Sequence, residues 1–192
     1  MLELAVLGLL SESPLHGYEL RQRLKATLGS FRAFSYGSLY PTLRRMRAAG
    51  WIAEDDGDAG IVADAPALTG RRGKVVYKLT ADGKERFAEL LGEAGPAAWE
   101  DDTFGVHFAF FSHTDPEVRV RILEGRRSRL EERREGARAS LKRTRARMDR
   151  YTLQLQEHGL ESVEREVRWL NELIETERRD STTPPAPPAP PS

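Results

Sequence analysis

Residues 35–51 read SYGSLYPTLRRMRAAGW, and this stretch decides the fold of the first half of the chain. Leu39, Leu43 and Met46 recur at i, i+4 and i+7, which is the apolar stripe of an amphipathic helix. The stretch contains no acidic residue, and its other face is hydroxylated and basic: Ser38, Thr42, Arg44, Arg45 and Arg47. Such a helix suits the major groove of DNA. The alternative is a solvated surface helix whose arginines only face water.

Both ends of this helix are marked in the sequence. Gly37 or Ser38 is expected as the N-cap, because Pro41 then falls in the first turn, where backbone amides have no partner within the helix. Gly50 provides the left-handed residue that ends the last turn.

The charges of the 192-residue chain are unevenly placed, although the formal net charge is zero. Between His16 and Gly50 there are seven basic residues and one acid, which indicates an anionic partner at that segment. We expect neither a signal peptide nor a membrane span, and hence a cytoplasmic location, because no basic start or long apolar run is present.

No motif for catalysis or metal binding stands out. The chain has no cysteine, and its four histidines show no ligand spacing. Neither a nucleophile elbow nor a glycine-rich phosphate loop is present. We therefore expect no enzyme activity, no cofactor and no metal.

The elements around the basic helix predict a winged helix-turn-helix over residues 1–92. Residues 2–10 are predicted to form a buried helix and residues 16–28 a second one, before the basic helix. Short strands are predicted at 51–54 and 75–80. They are joined by a long loop that serves as the wing.

The second half of the chain is predicted to be a helical hairpin over residues 116–180. Its first helix is expected over 116–158, with a turn at Gly159. Arg127 and Arg134 interrupt the heptad pattern of that helix. We expect an apolar edge that one hairpin cannot cover, so that a second copy makes a homodimer through Leu123, Leu130, Leu141, Val163, Val167, Leu170 and Ile174. Residues 181–192 are rich in proline and predicted to be disordered. The fold class is mainly α with a small β-hairpin.

Four motifs, in order and spacing, resemble the PadR family of bacterial transcriptional regulators. They are HGYEL at 16–20, GSLYPTLRRM at 37–46, GWI at 50–52 and YKLTADG at 77–83. The helical second half looks like that of the larger-type members. The resemblance implies a homodimeric winged-helix repressor that binds a palindromic operator in double-stranded DNA, acts on its own or neighbouring genes and is released by a small effector.

The resemblance also implies roles for individual residues. It places Tyr18 on the DNA backbone and the start of the recognition helix against backbone and base edges, with the wing at the minor groove. The expected DNA-binding residues are Tyr18, Ser35, Tyr36, Gly37, Ser38, Tyr40, Pro41, Thr42, Arg44, Arg45, Arg72 and Lys74. The wing loop departs from the family pattern because it is long and carries several acids.

Residues 93–115 form a predicted junction that is unusually aromatic. These side chains either pack the two halves together or border a pocket for a small aromatic effector. The candidates for the pocket are Trp99, Phe104, His107, Phe108 and Phe111. A second functional class also stays open, in which the chain is a coiled-coil adaptor whose basic helix binds acidic protein surfaces.

Overall fold

A computed structural model of the chain describes residues 1–29, 36–55 and 75–182. Single 3-10 turns lie at Tyr36–Ser38, Phe111–His113 and Arg145–Arg147. The helices and strands follow in the order α1 (Leu2–Glu12), β1 (Leu15–His16), α2 (Gly17–Leu28), α3 (Leu39–Ala48), β2 (Ile52–Asp55), β3 (Val76–Leu79), α4 (Ala81–Gly92), α5 (Pro96–Trp99), α6 (Phe104–Ala109), α7 (Pro116–Thr144) and α8 (Arg150–Thr182). The predicted fold class, a winged helix-turn-helix followed by a helical hairpin, is confirmed.

The chain divides into two compact units. The first comprises Met1–Glu93 and Asp101–Asp115, and the second comprises Ala94–Glu100 and Pro116–Ser192. The predicted junction 93–115 therefore does not form a separate segment, because its residues are divided between the two units. The short helix α5 packs on α7, whereas α6 packs on α1 and α2.

Helix α1 is the centre of the first unit because it is apolar at nearly every position. Every residue from Leu4 to Leu10 is buried, and α2, α3, α4, α6 and β3 all pack against this helix. Gly8 is needed for close packing, since a Cβ there would lie 2.3 Å from the ring of Phe110. The Phe110 ring meets Phe87 edge-on, with 6.0 Å between centroids.

The sheet has three antiparallel strands in the order β1-β3-β2. In the β2–β3 hairpin, Ile52 pairs with Leu79 and Glu54 with Tyr77. The sequence predicts this hairpin but not β1, because two residues carry no recognisable alternation. Arg72 and Lys74, the expected wing contacts, lie outside the described residues.

The position of the hairpin turn in the second unit corrects the sequence prediction. The turn lies at residues 145–149, and Gly159 is inside α8, so the predicted helix over 116–158 with a turn at Gly159 is wrong. The Asp149 carboxylate caps α8 by accepting the amides of Tyr151 at 2.8 Å and Thr152 at 3.1 Å. An interior glycine costs a helix only about 1 kcal/mol, which α8 tolerates through its packing. Ser181 and Thr182, predicted to be in the tail, are the last residues of α8.

The two helices of the hairpin pair along their length. Charged side chains bridge them at Arg119–Glu177, Arg126–Glu166 and Arg138–Glu164, with N···O distances of 3.1, 2.8 and 2.6 Å. The Arg127 guanidinium, expected to interrupt the apolar pattern, donates to Asn171 Oδ1 at 3.3 Å. The interruption is therefore a polar contact within one hairpin.

The apolar residues that were expected to need a second copy are covered within one chain. Six of the seven are buried, and Leu141 is half-buried. The expectation that this edge requires a partner is wrong, because the edges of α7 and α8 cover each other. The buried six are Leu123, Leu130, Val163, Val167, Leu170 and Ile174.

Candidate nucleic-acid interface

Helix α3 presents two unlike faces, as its sequence predicts. Leu39, Leu43 and Met46 are 1–2% exposed in the core. Ser38 is the N-cap, and Gly50 has φ 79°, the left-handed conformation expected of it. The residues on the outer side that are exposed to solvent are Gly37, Ser38, Tyr40, Pro41, Arg44, Arg45 and Arg47.

Thr42 does not belong to this outer face, and its expected DNA contact is corrected. It is 3% exposed, and its Oγ1 accepts a hydrogen bond from Arg45 Nη2 at 3.2 Å. Thr42 comes four residues before Met46, so the 3.6-residue repeat brings both to the same side of the helix. It positions Arg45 rather than facing a ligand.

Tyr18 and Tyr40 are large apolar side chains that remain exposed at 48% and 44%. Tyr18 stands in the first turn of α2, where its hydroxyl contacts the Gln22 amide at 2.5 Å. Tyr40 rests one edge against the α2 start, since a Cβ on Gly17 would lie 3.5 Å from its ring. Packing thus holds Tyr40 in place while its other side faces solvent.

Tyr77 connects this surface to the sheet. A Cβ on Gly17 would also lie 3.5 Å from its ring, so α2, α3 and β3 meet at that glycine. Burial raises the pKa of the Tyr77 phenol, and the nearby Glu54 carboxylate and Tyr40 hydroxyl raise it further. The Tyr77 hydroxyl therefore stays protonated at neutral pH.

Glu54 is a functional candidate that the sequence analysis does not identify. Its Oε1 lies 2.5 Å from Arg47 Nη1, so the β2 strand holds the last arginine of α3. The two side chains are 32% and 51% exposed. In the sequence, Glu54 directly precedes an acidic loop and looks like a part of that loop. Only the alternation of side chains along β2 could have indicated that Glu54 has a separate role.

The remaining cations of this surface differ in their partners. Arg23 on α2 lies 3.8 Å from Glu12. Arg44 is exposed and has no hydrogen-bond or ion-pair partner in the described part of the chain. Ser35 lies outside the described residues; Tyr36 begins the 3-10 turn, but its side chain is not described.

The expected effector residues are divided between the two units. Trp99 belongs to the second unit, where its ring packs on α7 so closely that a Cβ on Gly125 would lie 2.4 Å away. The other four belong to the first unit. There Phe108 lies 5.7 Å from Phe104 and 5.0 Å from Phe111 between ring centroids.

His107 is buried in the first unit, and its Nε2 has no hydrogen-bond partner. Burial lowers the pKa of its imidazole to about 4, so the ring is neutral at physiological pH. Among the described residues no group of His, Cys, Asp or Glu could hold a metal ion, and none of their helices is long and apolar enough to cross a membrane.

A family model matches most of the continuous part of the first unit. Residues 6–89 match the model of the transcriptional regulator PadR-like family. This segment, which we call the PadR-like domain, is similar to that family. The domain includes the helices α2 and α3, the β2–β3 hairpin and most of α4.

A curated protein that is similar to part of this chain is the negative transcriptional regulator PadR of Bacillus subtilis (strain 168). The two are 28% identical over 92 residues, which is 47% of this chain and 45% of that protein. The match therefore spans about half the length of the relative.

Solved structures of similar proteins include Bacillus subtilis PadR in complex with operator DNA, with 21% identity and a TM-score of 0.42 over 92% of this chain and 98% of that one. Bacillus subtilis PadR with p-coumaric acid has 21% identity and a TM-score of 0.41 at the same coverage.

Proposed function

We propose that this chain is a DNA-binding transcriptional regulator whose helix α3 enters the major groove. The observation that carries this proposal is the outer face of α3, which combines hydroxyl, aromatic and guanidinium groups on a helix without an acid. Polar donors of this kind can contact both phosphates and base edges. Two similarities add support: residues 6–89 match the PadR-like family of transcriptional regulators, and a relative of the chain is named as a negative transcriptional regulator.

Individual residues take different roles in this proposal. Arg44 is free to reach a phosphate or a guanine edge, whereas Arg45 is oriented by Thr42. Tyr40 is held against Gly17 at the start of α2, and both Tyr40 and the exposed Tyr18 contact the DNA backbone. Ser38 and Pro41 lie at the start of the helix, where the chain approaches the bases.

The regulator acts as a homodimer on a palindromic operator and represses its own or neighbouring genes. Two copies of α3 would meet half-sites about one helical turn apart, roughly 34 Å.

A small aromatic effector would release the regulator from its operator by binding at Phe104, His107, Phe108 and Phe111. Half-buried Phe108 supports this part of the proposal, because a planar ligand could stack there. The test is to add phenolic compounds to the operator complex of the parent and of Phe108→Ala. The compounds should release the parent from the operator but not Phe108→Ala.

A gel-shift titration on the DNA upstream of the gene tests DNA binding. Operator affinity should fall steeply between about 50 and 200 mM salt, with a log–log slope of about −0.9 per phosphate neutralised. Arg44→Ala should weaken binding about 5-fold to 150-fold, corresponding to about 1–3 kcal/mol. The matched control is Arg168→Ala, an exposed arginine on α8. Binding that ignores salt, or an affinity that Arg44→Ala leaves unchanged, would contradict the role of α3, and the absence of any DNA binding would favour the adaptor function instead.

A further inference from the structure

The turn of the C-terminal hairpin carries a dense group of positive charges. Residues 142–150, which we call the basic tip, contain five basic side chains and one acid. All six are exposed: Lys142, Arg143, Arg145, Arg147, Asp149 and Arg150. The proposed DNA-binding surface on the first unit does not include this segment.

Most of these cations are not neutralised by the fold. Arg145 pairs with Glu157 at 3.1 Å. The other four have no ion-pair or hydrogen-bond partner in the part of the chain that the structure describes. The rest of the hairpin, which we call the shaft, is different. There, arginines of α7 such as Arg126 and Arg138 form ion pairs with glutamates of α8.

The only acid in the basic tip is used in capping. The Thr152 hydroxyl and the amides of Thr152 and Tyr151 bind the Asp149 carboxylate and hold its pKa below the usual range. Asp149 is thus ionised, but its oxygens are directed to the start of α8. The basic tip keeps a net formal charge of about +4.

Helix electrostatics explain only part of this cluster. Lys142 and Arg143 lie in the last turn of α7, where a cation stabilises the helix dipole. Arg147 is the last residue of the 3-10 turn between the helices, and Arg150 is the first residue of α8, where the dipole is positive and disfavours a cation. Because the helix dipoles account for only some of these charges, a ligand is the better explanation for the cluster as a whole.

We propose that the basic tip is a second DNA-contacting surface, which binds backbone phosphates outside the segment contacted by α3. This inference rests on the proposed function. Exposed cations at a turn can contact phosphates without reading sequence, and each contact releases a counterion. Attachment to a unit that holds DNA raises the local concentration of duplex around the tip.

The test compares two full-length variants with the same change in charge. The tip variant replaces the four unpaired cations with glutamine: Lys142→Gln, Arg143→Gln, Arg147→Gln and Arg150→Gln. The shaft variant does the same for exposed arginines elsewhere on the hairpin: Arg121→Gln, Arg129→Gln, Arg133→Gln and Arg168→Gln. Circular dichroism should show the tip variant as helical as the parent, because none of its four side chains has a polar partner in the described structure.

Each protein is titrated with a short duplex limited to the segment that α3 protects and with a duplex of about 60 base pairs containing it. On the long duplex the affinity of the tip variant should fall about tenfold or more, and its log–log salt slope should decrease by about 0.9 for each phosphate that the variant no longer neutralises. On the short duplex it should bind as the parent does. The shaft variant should match the parent on both.

Two results would overturn the inference. One is a tip variant that binds the long duplex like the parent. The other is binding that is weakened equally in the tip and shaft variants, because net charge alone would then explain the effect.

A third variant, Arg44→Gln with Arg45→Gln, separates this inference from the proposed function. If it keeps full affinity for the short duplex, the role of α3 fails. Weaker binding of the long duplex by the tip variant would still support the tip contact.

Discussion

At the scale of single residues, His107 is a buried ionisable group whose environment makes folding depend on pH. The residue is 2% exposed, its Nε2 has no hydrogen-bond partner, and burial lowers its pKa to about 4. A histidine in the unfolded chain has a pKa near 6.5. Below that pH the unfolded chain takes up a proton that the folded chain does not, so acid favours unfolding.

The first unit should therefore lose stability as pH falls from about 6.5 towards 4, and keep it above 6.5. Between pH 7 and pH 5 we expect a loss of about 2 kcal/mol from this group, to be measured by urea unfolding at the two pH values. His107→Leu should remove that part of the dependence, whereas His158→Gln, an exposed histidine on α8, should not. Equal pH dependence in His107→Leu and the parent would contradict the prediction.

Thr42 and Tyr40 illustrate how far the sequence predicts individual side chains. The apolar stripe of α3 is predicted correctly from Leu39, Leu43 and Met46. The same repeat places Thr42 beside that stripe, but its hydroxyl suggests a polar role. The half-exposed state of Tyr40 depends on its contact with Gly17, which belongs to another helix. Periodicity within one helix carries no information about such a contact.

At the scale of elements, the Arg47–Glu54 pair ties α3 to the wing strand β2. An exposed pair of this kind contributes about 0–1 kcal/mol to folding, so its main effect is on where Arg47 points. While Glu54 holds the guanidinium, Arg47 is not available to a phosphate. The negative charge of Glu54 also opposes the approach of DNA.

Glu54→Gln should therefore strengthen DNA binding without sequence preference. We expect a few-fold tighter binding to both operator and unrelated duplex, and a salt slope steeper by up to about 0.9 if Arg47 gains one phosphate. Fluorescence anisotropy at several salt concentrations measures both quantities. Glu85→Gln, an exposed acid on α4, is the control for net charge. A slope unchanged from the parent would mean that Arg47 stays away from the DNA.

The hairpin shows why element boundaries are harder to predict than the elements themselves. The sequence predicts two long helices and marks Gly159 as the break between them, whereas Asp149 makes the actual turn by capping α8. Residues 139–149 are helix-compatible by themselves and contain no strong stop signal. The arginines of α7 resemble interruptions in the sequence because their partners lie about 40 residues away on α8, as with Arg126 and Glu166.

At the scale of the whole molecule, the hairpin covers most of its own apolar residues. A homodimer interface must therefore use apolar side chains that are still exposed. Among the described residues the exposed large apolar side chains are Tyr18, Tyr40, Tyr151 and Leu155. The first two belong to the proposed DNA surface. Tyr151 and Leu155 are 79% and 67% exposed and lie one turn apart on α8. A homodimer through the hairpin should therefore bury these two.

Leu155→Asp should dissociate that dimer while leaving the hairpin folded. Full burial of a leucine is worth about 1.5–3 kcal/mol, and a symmetric dimer contains two copies, so the dimer Kd should rise by about 100-fold or more. Sedimentation velocity over a range of concentrations measures this. Gln154→Asp changes an exposed neighbour to the same charged residue and should leave the dimer intact.

Only a dimer can bind two half-sites together. Leu155→Asp should therefore also weaken binding to the full operator by more than it weakens binding to a single half-site. If Leu155→Asp still sediments as a dimer, the second copy binds elsewhere on the chain.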